Sequence, residues 1–182
     1  GPDDLPPVPQ HSPARQLDVA RRMTALGTSP RPVFEVALRW LEERSPSQPP
    51  RCLVHGDFRN GNFLVGPEGL RAILDWEYAH IGDPMEDLAF LCLKPWRFGN
   101  VTAEVGGFGS RDALYRAYER AGGASVDPEA VRFWEVLCNL KWGALCVARG
   151  MAHVLGLQRS VEAAAIGRRV AETEYDILEL MG

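Results

Sequence analysis

The sequence predicts an α+β domain that is mostly α-helical and contains one small β-hairpin. Two observations lead to this prediction. Apolar residues recur at the helical spacing of three and four positions through most of the chain, as in the segment that begins at Pro32. Strand-like apolar runs occur between Cys52 and Leu74, where two of them flank the turn Gly66–Gly69. At 182 residues, 46% of them hydrophobic, the chain has the size of one globular domain.

Two helices are predicted before the hairpin. The first spans Ala14 to Leu26, with Gly27 as a stop signal. The second begins at Pro32, and its apolar residues at positions i, i+3, i+4 and i+7 are Phe34, Ala37, Leu38 and Leu41. Residues 1–13 are rich in proline and are predicted to be extended. Residues 1–50 are therefore interpreted as a helical lead-in.

Further helices are predicted after the hairpin. Their expected starts are Asp83, Ser110, Asp127 and about Ser160, and of these Asp83 and Ser110 are expected to be N-caps. The first ends near Lys94, so residues 51–94 contain the hairpin and one helix, and residues 95–182 form a helical subdomain. The helix from Asp127 is apolar on all sides, which predicts a buried spine. The last helix is predicted to run unbroken to about Leu180.

Composition narrows the classes of function. The formal net charge is −4 and no basic run is present, which argues against nucleic acid or an anionic membrane as a partner. The sequence has neither a secretory h-region nor an apolar run that spans a bilayer, so a cytoplasmic protein is expected. Its cysteines occur singly and are predicted to be buried thiols in a reducing compartment; they are Cys52, Cys92, Cys138 and Cys146.

The segment His55–Asn62 has the form H-x-D-x-x-x-x-N, which is the spacing of a kinase catalytic loop. Asp75 follows shortly afterwards. The predicted hairpin places Asn62 at the start of one strand and Asp75 at the end of its antiparallel partner, so both side chains should reach the same mouth. Gly56 would allow the backbone to bend tightly around that mouth.

Phosphoryl transfer requires groups of this kind. Magnesium ions must bridge the phosphate oxygens, and such hard ions prefer oxygen ligands, which Asn62 and Asp75 would supply. The accepting hydroxyl must be positioned and must lose its proton, which calls for a carboxylate near the metal, and Asp57 fits that role. Glu77 and Glu86 add to an acidic mouth that would suit a cationic acceptor, although metal binding explains the same acidity.

Three motifs together resemble the C-terminal lobe of the aminoglycoside phosphotransferase family; they are His55-Gly56-Asp57…Asn62, Ile73-Leu74-Asp75-Trp76-Glu77 and Gly82-Asp83-Pro84-Met85-Glu86-Asp87-Leu88-Ala89. The resemblance implies a protein-kinase-like fold that uses ATP and Mg²⁺ to phosphorylate hydroxyl groups on small molecules. In it Asp57 is catalytic and Asn62 and Asp75 bind the metal. The residues around Trp96–Gly99 and Arg132–Glu135 resemble the branch of this family that is sometimes found near acyl-CoA dehydrogenases more closely than they resemble dedicated antibiotic-resistance enzymes.

Supporting roles follow from the same resemblance. His55 is expected to support the loop through a hydrogen bond, and Asp83 and Asp87 to act as a helix cap and an internal brace. Glu77 is a candidate for contact with the substrate or a second metal ion. The tryptophans are expected in the core; those considered are Trp76, Trp96, Trp134 and Trp142.

The first lobe of a kinase carries a glycine-rich loop and a strand-borne lysine, and neither is found ahead of the catalytic motif, since the first lysine is Lys94. Residues 1–50 are too short and too helical for that lobe. The N-terminal nucleotide lobe is therefore expected to be absent from this sequence and to be a required partner, because the fragment alone would be inactive. Whether the sequence is a truncated piece of a longer protein or a natural fragment is open. The oligomeric state is also open, because a lobe without its partner would expose apolar surface through which it could associate.

Two alternatives remain at this stage. One is a binding module that keeps the fold without catalysis. The other is a metal-dependent phosphoesterase that uses His55, Asp57, Asp75 and His80 as ligands. The acceptor is also open among aminoglycosides, amino alcohols, sugars and hydroxyacyl thioesters.

Overall fold

The computed structural model describes residues 8–27 and 30–182, so part of the predicted extended lead-in lies outside the described residues. The helices are α1 (Pro13–Ala25), α2 (Pro32–Arg44), α3 (Met85–Cys92), α4 (Arg111–Arg120), α5 (Pro128–Val154), α6 (Val161–Arg168) and α7 (Val170–Met181). The strands are β1 (Cys52–Val54), β2 (Phe63–Gly66), β3 (Gly69–Ile73) and β4 (His80–Gly82). This mostly helical α+β architecture confirms the predicted fold class.

The chain divides into two compact units. One contains Pro46–Glu135 and the residues up to Pro13, and the other contains Ala14–Ser45 and Val136–Gly182. Every strand and the predicted catalytic motif belong to the first unit. No helix within residues 8–27 and 30–182 is both long and apolar enough to cross a membrane.

The predicted hairpin is present. Strands β2 and β3 pair antiparallel, with Phe63 opposite Ile73 and Gly66 opposite Gly69. One further backbone bond extends the ladder, because Leu74 N donates to Asn62 O at 2.8 Å. The backbones at the two ends of the hairpin are therefore side by side immediately before Asp75.

A second small sheet was not predicted. Strand β1 pairs antiparallel with β4, with Val54 opposite His80. The segment Pro9–His11 bonds to β4 as well, since Ile81 N donates to Pro9 O at 2.8 Å and His11 N donates to Ile81 O at 2.9 Å. A strand of three residues shows no alternation, so β4 becomes a strand only through these distant partners.

The helix that follows β4 begins one residue later than expected, because Pro84 and not Asp83 is its N-cap, and it ends early. The Oδ1 of Asp83 accepts a hydrogen bond from Met85 N at 3.0 Å, and its Oδ2 accepts one from Trp134 Nε1 at 2.7 Å. The predicted end near Lys94 is too late, because α3 stops at Cys92. Pro95 restricts the residue before it and has no N–H to donate, so the chain continues as a 3-10 turn over Lys94–Arg97.

In the second unit, the prediction of one unbroken helix from Ser160 to Leu180 is wrong. The chain turns at Arg169, where ψ is −2°, and this turn separates α6 from α7. Gly167 lies against Gly150 of α5 so closely that a Cβ on Gly167 would be 2.6 Å from the Gly150 Cα. A glycine within a helical run was the signal for this close crossing.

Burial corrects three other expectations. The helix α5 contains core residues from Val131 to Leu140, but its residue Leu145 is 38% exposed. The helix is therefore not buried on all sides. Cys52 is exposed, whereas Cys92 is buried and its burial raises the pKa of the thiol to about 12. Trp76 is 47% exposed and is not a core residue.

Candidate active site

The loop His55–Asn62 is held in place by one carboxylate from α3. The Oδ2 of Asp87 accepts a hydrogen bond from His55 N at 2.7 Å, and its Oδ1 accepts one from Gly56 N at 3.0 Å. Burial raises the pKa of Asp87 above its usual value, while these two bonds act in the opposite direction. Gly56 has φ +82°, and a Cβ there would lie 2.8 Å from Tyr78 O. The backbone bend therefore requires glycine.

His55 is buried and uses both ring nitrogens within the protein. Its Nε2 lies 2.8 Å from Leu74 O, and its Nδ1 accepts a hydrogen bond from Asp57 N at 3.2 Å. Because the carbonyl can only accept, these partners assign the ring proton to Nε2. His55 thereby connects the loop to the end of the hairpin and has no nitrogen left for a metal.

Asp57 and Asn62 form a direct pair. The Nδ2 of Asn62 donates to Asp57 Oδ2 at 2.8 Å and to Asp57 O at 2.9 Å. Arg59 Nε also donates to the carboxylate, at 3.1 Å from Oδ1 and 3.3 Å from Oδ2. The amide nitrogen of the buried Asn62 is directed at Asp57, which leaves its Oδ1 as the atom suited to a metal.

Asp75 and Glu77 lie on an exposed segment, Leu74–Tyr78, directly after the hairpin. Asp75 has left-handed backbone angles, φ 62° and ψ 57°, which an aspartate tolerates better than most residues. Within the part of the chain that the structure describes, no hydrogen bond or ion pair engages either carboxylate. Both are available to a ligand.

Glu86 does not belong to the acidic mouth that the sequence suggested. Its side chain is buried, with Oε2 3.1 Å from His80 Nε2. The other ring nitrogen of His80 lies 2.9 Å from Tyr78 O. Since His55 and His80 both engage their ring nitrogens inside the protein, the geometry does not favour the metal-dependent phosphoesterase alternative.

Two residues of the site, Arg59 and Asn60, were not singled out from the sequence. Asn60 Nδ2 donates to Trp96 O at 2.9 Å and to Gly106 O at 2.7 Å, which connects the loop to the segment 94–109. The guanidinium of Arg59 lies over the Trp96 ring, 5.0 Å from its centroid. Arg59 and Asn60 occupy unspecified positions of the motif, and the one signal was that Arg59 is a cation beside the proposed catalytic carboxylate.

The donor atoms suit magnesium. Among residues 8–27 and 30–182 no group of three or more histidine, cysteine, aspartate or glutamate side chains is placed to hold a metal ion. Mg²⁺ does not need such a cage, since it usually binds one or two carboxylates together with water and substrate phosphates. Asn62 Oδ1 and the Asp75 carboxylate are hard oxygen donors of this type.

The elements and their order give the chain a protein-kinase-like fold. Residues 2–134 match the family model described as the phosphotransferase enzyme family, APH. The chain belongs to this phosphotransferase enzyme family, and the expected family resemblance is confirmed.

Solved structures show the same fold at low sequence identity. A putative aminoglycoside phosphotransferase from Ralstonia eutropha JMP134 superimposes with a TM-score of 0.77 and 21% identity, over 95% of this chain and 56% of that one. A choline/ethanolamine kinase family protein from Mesorhizobium loti gives a TM-score of 0.64 and 20% identity, over 95% and 54%. A thermostable mutant of aminoglycoside phosphotransferase APH(4)-Ia, in a ternary complex with AMP-PNP and hygromycin B, gives a TM-score of 0.55 and 19% identity, over 82% and 42%.

A curated relative matches part of the chain. Acyl-CoA dehydrogenase family member 10 of Mus musculus is 41% identical over 75 residues, which is 40% of this chain and 7% of that protein. The chain thus spans a small part of this relative and about half of the solved structures it resembles.

Proposed function

We propose that the chain is the acceptor- and metal-binding lobe of a kinase that transfers the γ-phosphoryl group of ATP to a hydroxyl of a small molecule. Membership of the phosphotransferase enzyme family supports this proposal. The observation that carries it is the pair formed by Asp57 and Asn62, 2.8 Å apart, on a loop whose backbone is held by Asp87. Preorganised groups of this kind are what phosphoryl transfer requires.

Asp57 would accept a hydrogen bond from the acceptor hydroxyl and take its proton. Asn62 and Asp75 would hold Mg²⁺, which neutralises the charge of the phosphates when it is bound. Three residues would have supporting roles without touching the reacting groups, because they hold the backbone in position; they are His55, Asp83 and Asp87. Glu77, exposed beside Asp75, remains a candidate for contact with the acceptor or a second metal ion.

The nucleotide is proposed to be ATP, and two observations support this. The chain superimposes on a phosphotransferase in complex with AMP-PNP. This chain also covers only 56% of the Ralstonia eutropha protein. The nucleotide lobe would correspond to the part of that protein outside the match. No cysteine within residues 8–27 and 30–182 forms a disulfide, which supports the proposal that the protein works in the reducing cytoplasm.

Replacement of Asp57 by Asn tests the proposal in the complete protein that contains this chain. Turnover of Mg-ATP with a responsive acceptor should fall by about 10²- to 10⁴-fold, because a proton acceptor is lost. The acceptor would first be sought in a panel of aminoglycosides, amino alcohols, sugars and hydroxyacyl thioesters. Phosphorylated product would be quantified by mass spectrometry, and the thermal midpoint would be measured beside it.

Asp112→Asn is the matched control. Asp112 is an exposed residue of α4 that pairs with Arg116 one turn away, so its loss should leave turnover and the thermal midpoint unchanged. Turnover by Asp57→Asn within threefold of the unmodified protein would remove Asp57 from the catalytic role. If the unmodified protein neither binds Mg-ATP nor phosphorylates any acceptor, the binding-module alternative replaces the kinase.

A further inference from the structure

Arg59 occupies a position that the proposed reaction does not yet explain. Its Nε donates to both oxygens of the Asp57 carboxylate, the atoms that the acceptor hydroxyl must also reach. A cation used only to stabilise the loop would compete with the acceptor for those oxygens. Its side chain is 28% exposed, so the guanidinium is partly shielded from water but still accessible to a ligand.

Two other neighbours limit the space around the guanidinium. On one side lies the ring of Trp96, whose centroid is 5.0 Å from the guanidinium carbon. Gly61 is a second neighbour, since a Cβ on Gly61 would lie 2.2 Å from Nη1 of Arg59. The guanidinium is therefore placed by an aromatic ring, a glycine without a side chain and the carboxylate of Asp57.

The terminal nitrogens of Arg59 take no part in the contact with Asp57, which uses Nε alone. In the described part of the chain no hydrogen bond from either terminal nitrogen to another protein group is found. Arginine presents five N–H donors in one plane, a geometry that suits the bidentate binding of phosphate oxygens. The terminal N–H donors of Arg59 are thus unused, and they lie next to the Asp57 carboxylate that would take the proton of the acceptor hydroxyl.

We propose that Arg59 binds the phosphoryl group during its transfer and neutralises the charge on it. This inference rests on the proposed kinase function. An acceptor oxygen that bonds to Asp57 lies about 2.6–3.2 Å from the carboxylate and about 3–3.5 Å from the phosphorus in a reactive arrangement. A guanidinium in contact with the same carboxylate is therefore within reach of the transferred group.

Transfer of the phosphoryl group forms one bond to phosphorus and breaks another. The acceptor oxygen forms a bond to the γ-phosphorus, and the bond from that phosphorus to the oxygen bridging the β and γ phosphates breaks. Its electron pair stays on the terminal phosphate of the ADP that leaves, and the acceptor proton passes to Asp57. Arg59 keeps its own protons and donates hydrogen bonds to the phosphoryl oxygens while their charge is redistributed.

The test compares Arg59→Met and Arg59→Lys in the complete protein. Arg59→Met keeps an unbranched apolar stem without charge, and should lower kcat by about 10²- to 10³-fold, as loss of a charge-stabilising donor does elsewhere. The KM of the acceptor should stay within about threefold, because a group that acts in the transition state affects kcat most. Arg59→Lys should recover at least tenfold of the lost kcat, because it restores the charge without the planar fork.

A binding measurement separates this role from support of the loop. Titration with Mg-ADP and fluoroaluminate, which resembles the phosphoryl group in transfer, should show at least tenfold weaker binding in Arg59→Met, while Mg-ATP binds as in the unmodified protein. Arg71→Met is the matched control, since Arg71 pairs with Glu68 on the exposed turn of the hairpin, outside the site. It should leave kcat, KM and both titrations unchanged.

Gly61 provides a second test, in which Arg59 itself is kept. Gly61→Ala should displace the guanidinium and lower kcat, but it should change kcat by less than threefold in a protein that already carries Arg59→Met. A kcat for Arg59→Met within threefold of the unmodified protein, with Arg59→Lys no different, would overturn the role of Arg59 and leave the kinase function standing. Absence of phosphoryl transfer in the unmodified protein would overturn both.

Discussion

The loop His55–Asn62 and the segment Leu74–Tyr78 differ in how far contacts within the protein hold their groups in place. In the loop, backbone and side-chain groups already have protein partners, since Asp87 holds two backbone N–H groups and Asn62 bonds to Asp57. In Leu74–Tyr78 every side chain is exposed, and Asp75 has a left-handed backbone. In the proposed kinase, the acceptor side would therefore be formed by folding, and the metal side would be completed by its ligands.

Asp75→Asn should have a large effect on activity and almost none on stability. Loss of a metal ligand removes several kcal/mol of charge stabilisation, which corresponds to about 10²- to 10³-fold in turnover. The free energy of unfolding should change by less than about 0.5 kcal/mol, because the side chain is exposed. Turnover at increasing Mg²⁺ and urea unfolding would measure the two quantities. A stability loss above about 1 kcal/mol would show that Asp75 supports the fold as well.

Asp87→Ala should affect both quantities. The N–H groups of His55 and Gly56 lose their acceptor, and each unsatisfied donor costs about 1–3 kcal/mol, so unfolding in urea should show a loss of about 2–6 kcal/mol. Turnover should fall as well, because the loop would no longer hold Asp57. The exposed Asp112→Ala should cost less than about 0.5 kcal/mol in the same measurement. An unchanged stability of Asp87→Ala would contradict the difference between the two regions.

Gly56→Ala tests the point where the two regions touch. Gly56 and Gly69 both have positive φ, of +82° and +115°, so alanine is strained at either position. At Gly56 the new Cβ would also lie 2.8 Å from Tyr78 O, whereas at Gly69 nothing lies within 4 Å. Gly56→Ala should therefore be less stable than Gly69→Ala by about 1–3 kcal/mol. Equal unfolding free energies would mean that Leu74–Tyr78 moves away from the loop without resistance.

The sequence predicted those parts of the fold that local patterns specify. The helix from Pro32, the hairpin around Gly66–Gly69 and the cap at Ser110 are present, because apolar spacing, turn residues and capping groups act over a few residues. Strand β4 was missed because it exists through pairing with β1 and with Pro9–His11. The break at Arg169 was missed because the approach of Gly150 to Gly167 is a tertiary contact.

The same distinction applies to the site. The spacing of the motif correctly predicted that Asp57 and Asn62 lie together, and the hairpin places the backbone of Leu74, next to Asp75, beside that of Asn62. Burial of Glu86 against His80 could not be predicted, since it depends on where α3 packs. The position of Arg59 between Trp96 and Asp57 depends on the path of the segment 94–109, which has no regular pattern to read.

The two bonds of Asn60 have a consequence for how this protein can diversify. Asn60 donates to the backbone carbonyls of Trp96 and Gly106, and a carbonyl is present whatever the side chain. These bonds therefore constrain the course of the segment 94–109 but not its sequence. The exposed Phe98, Val101 and Phe108 can be exchanged in evolution, or in a combinatorial library, while the catalytic loop keeps its anchor.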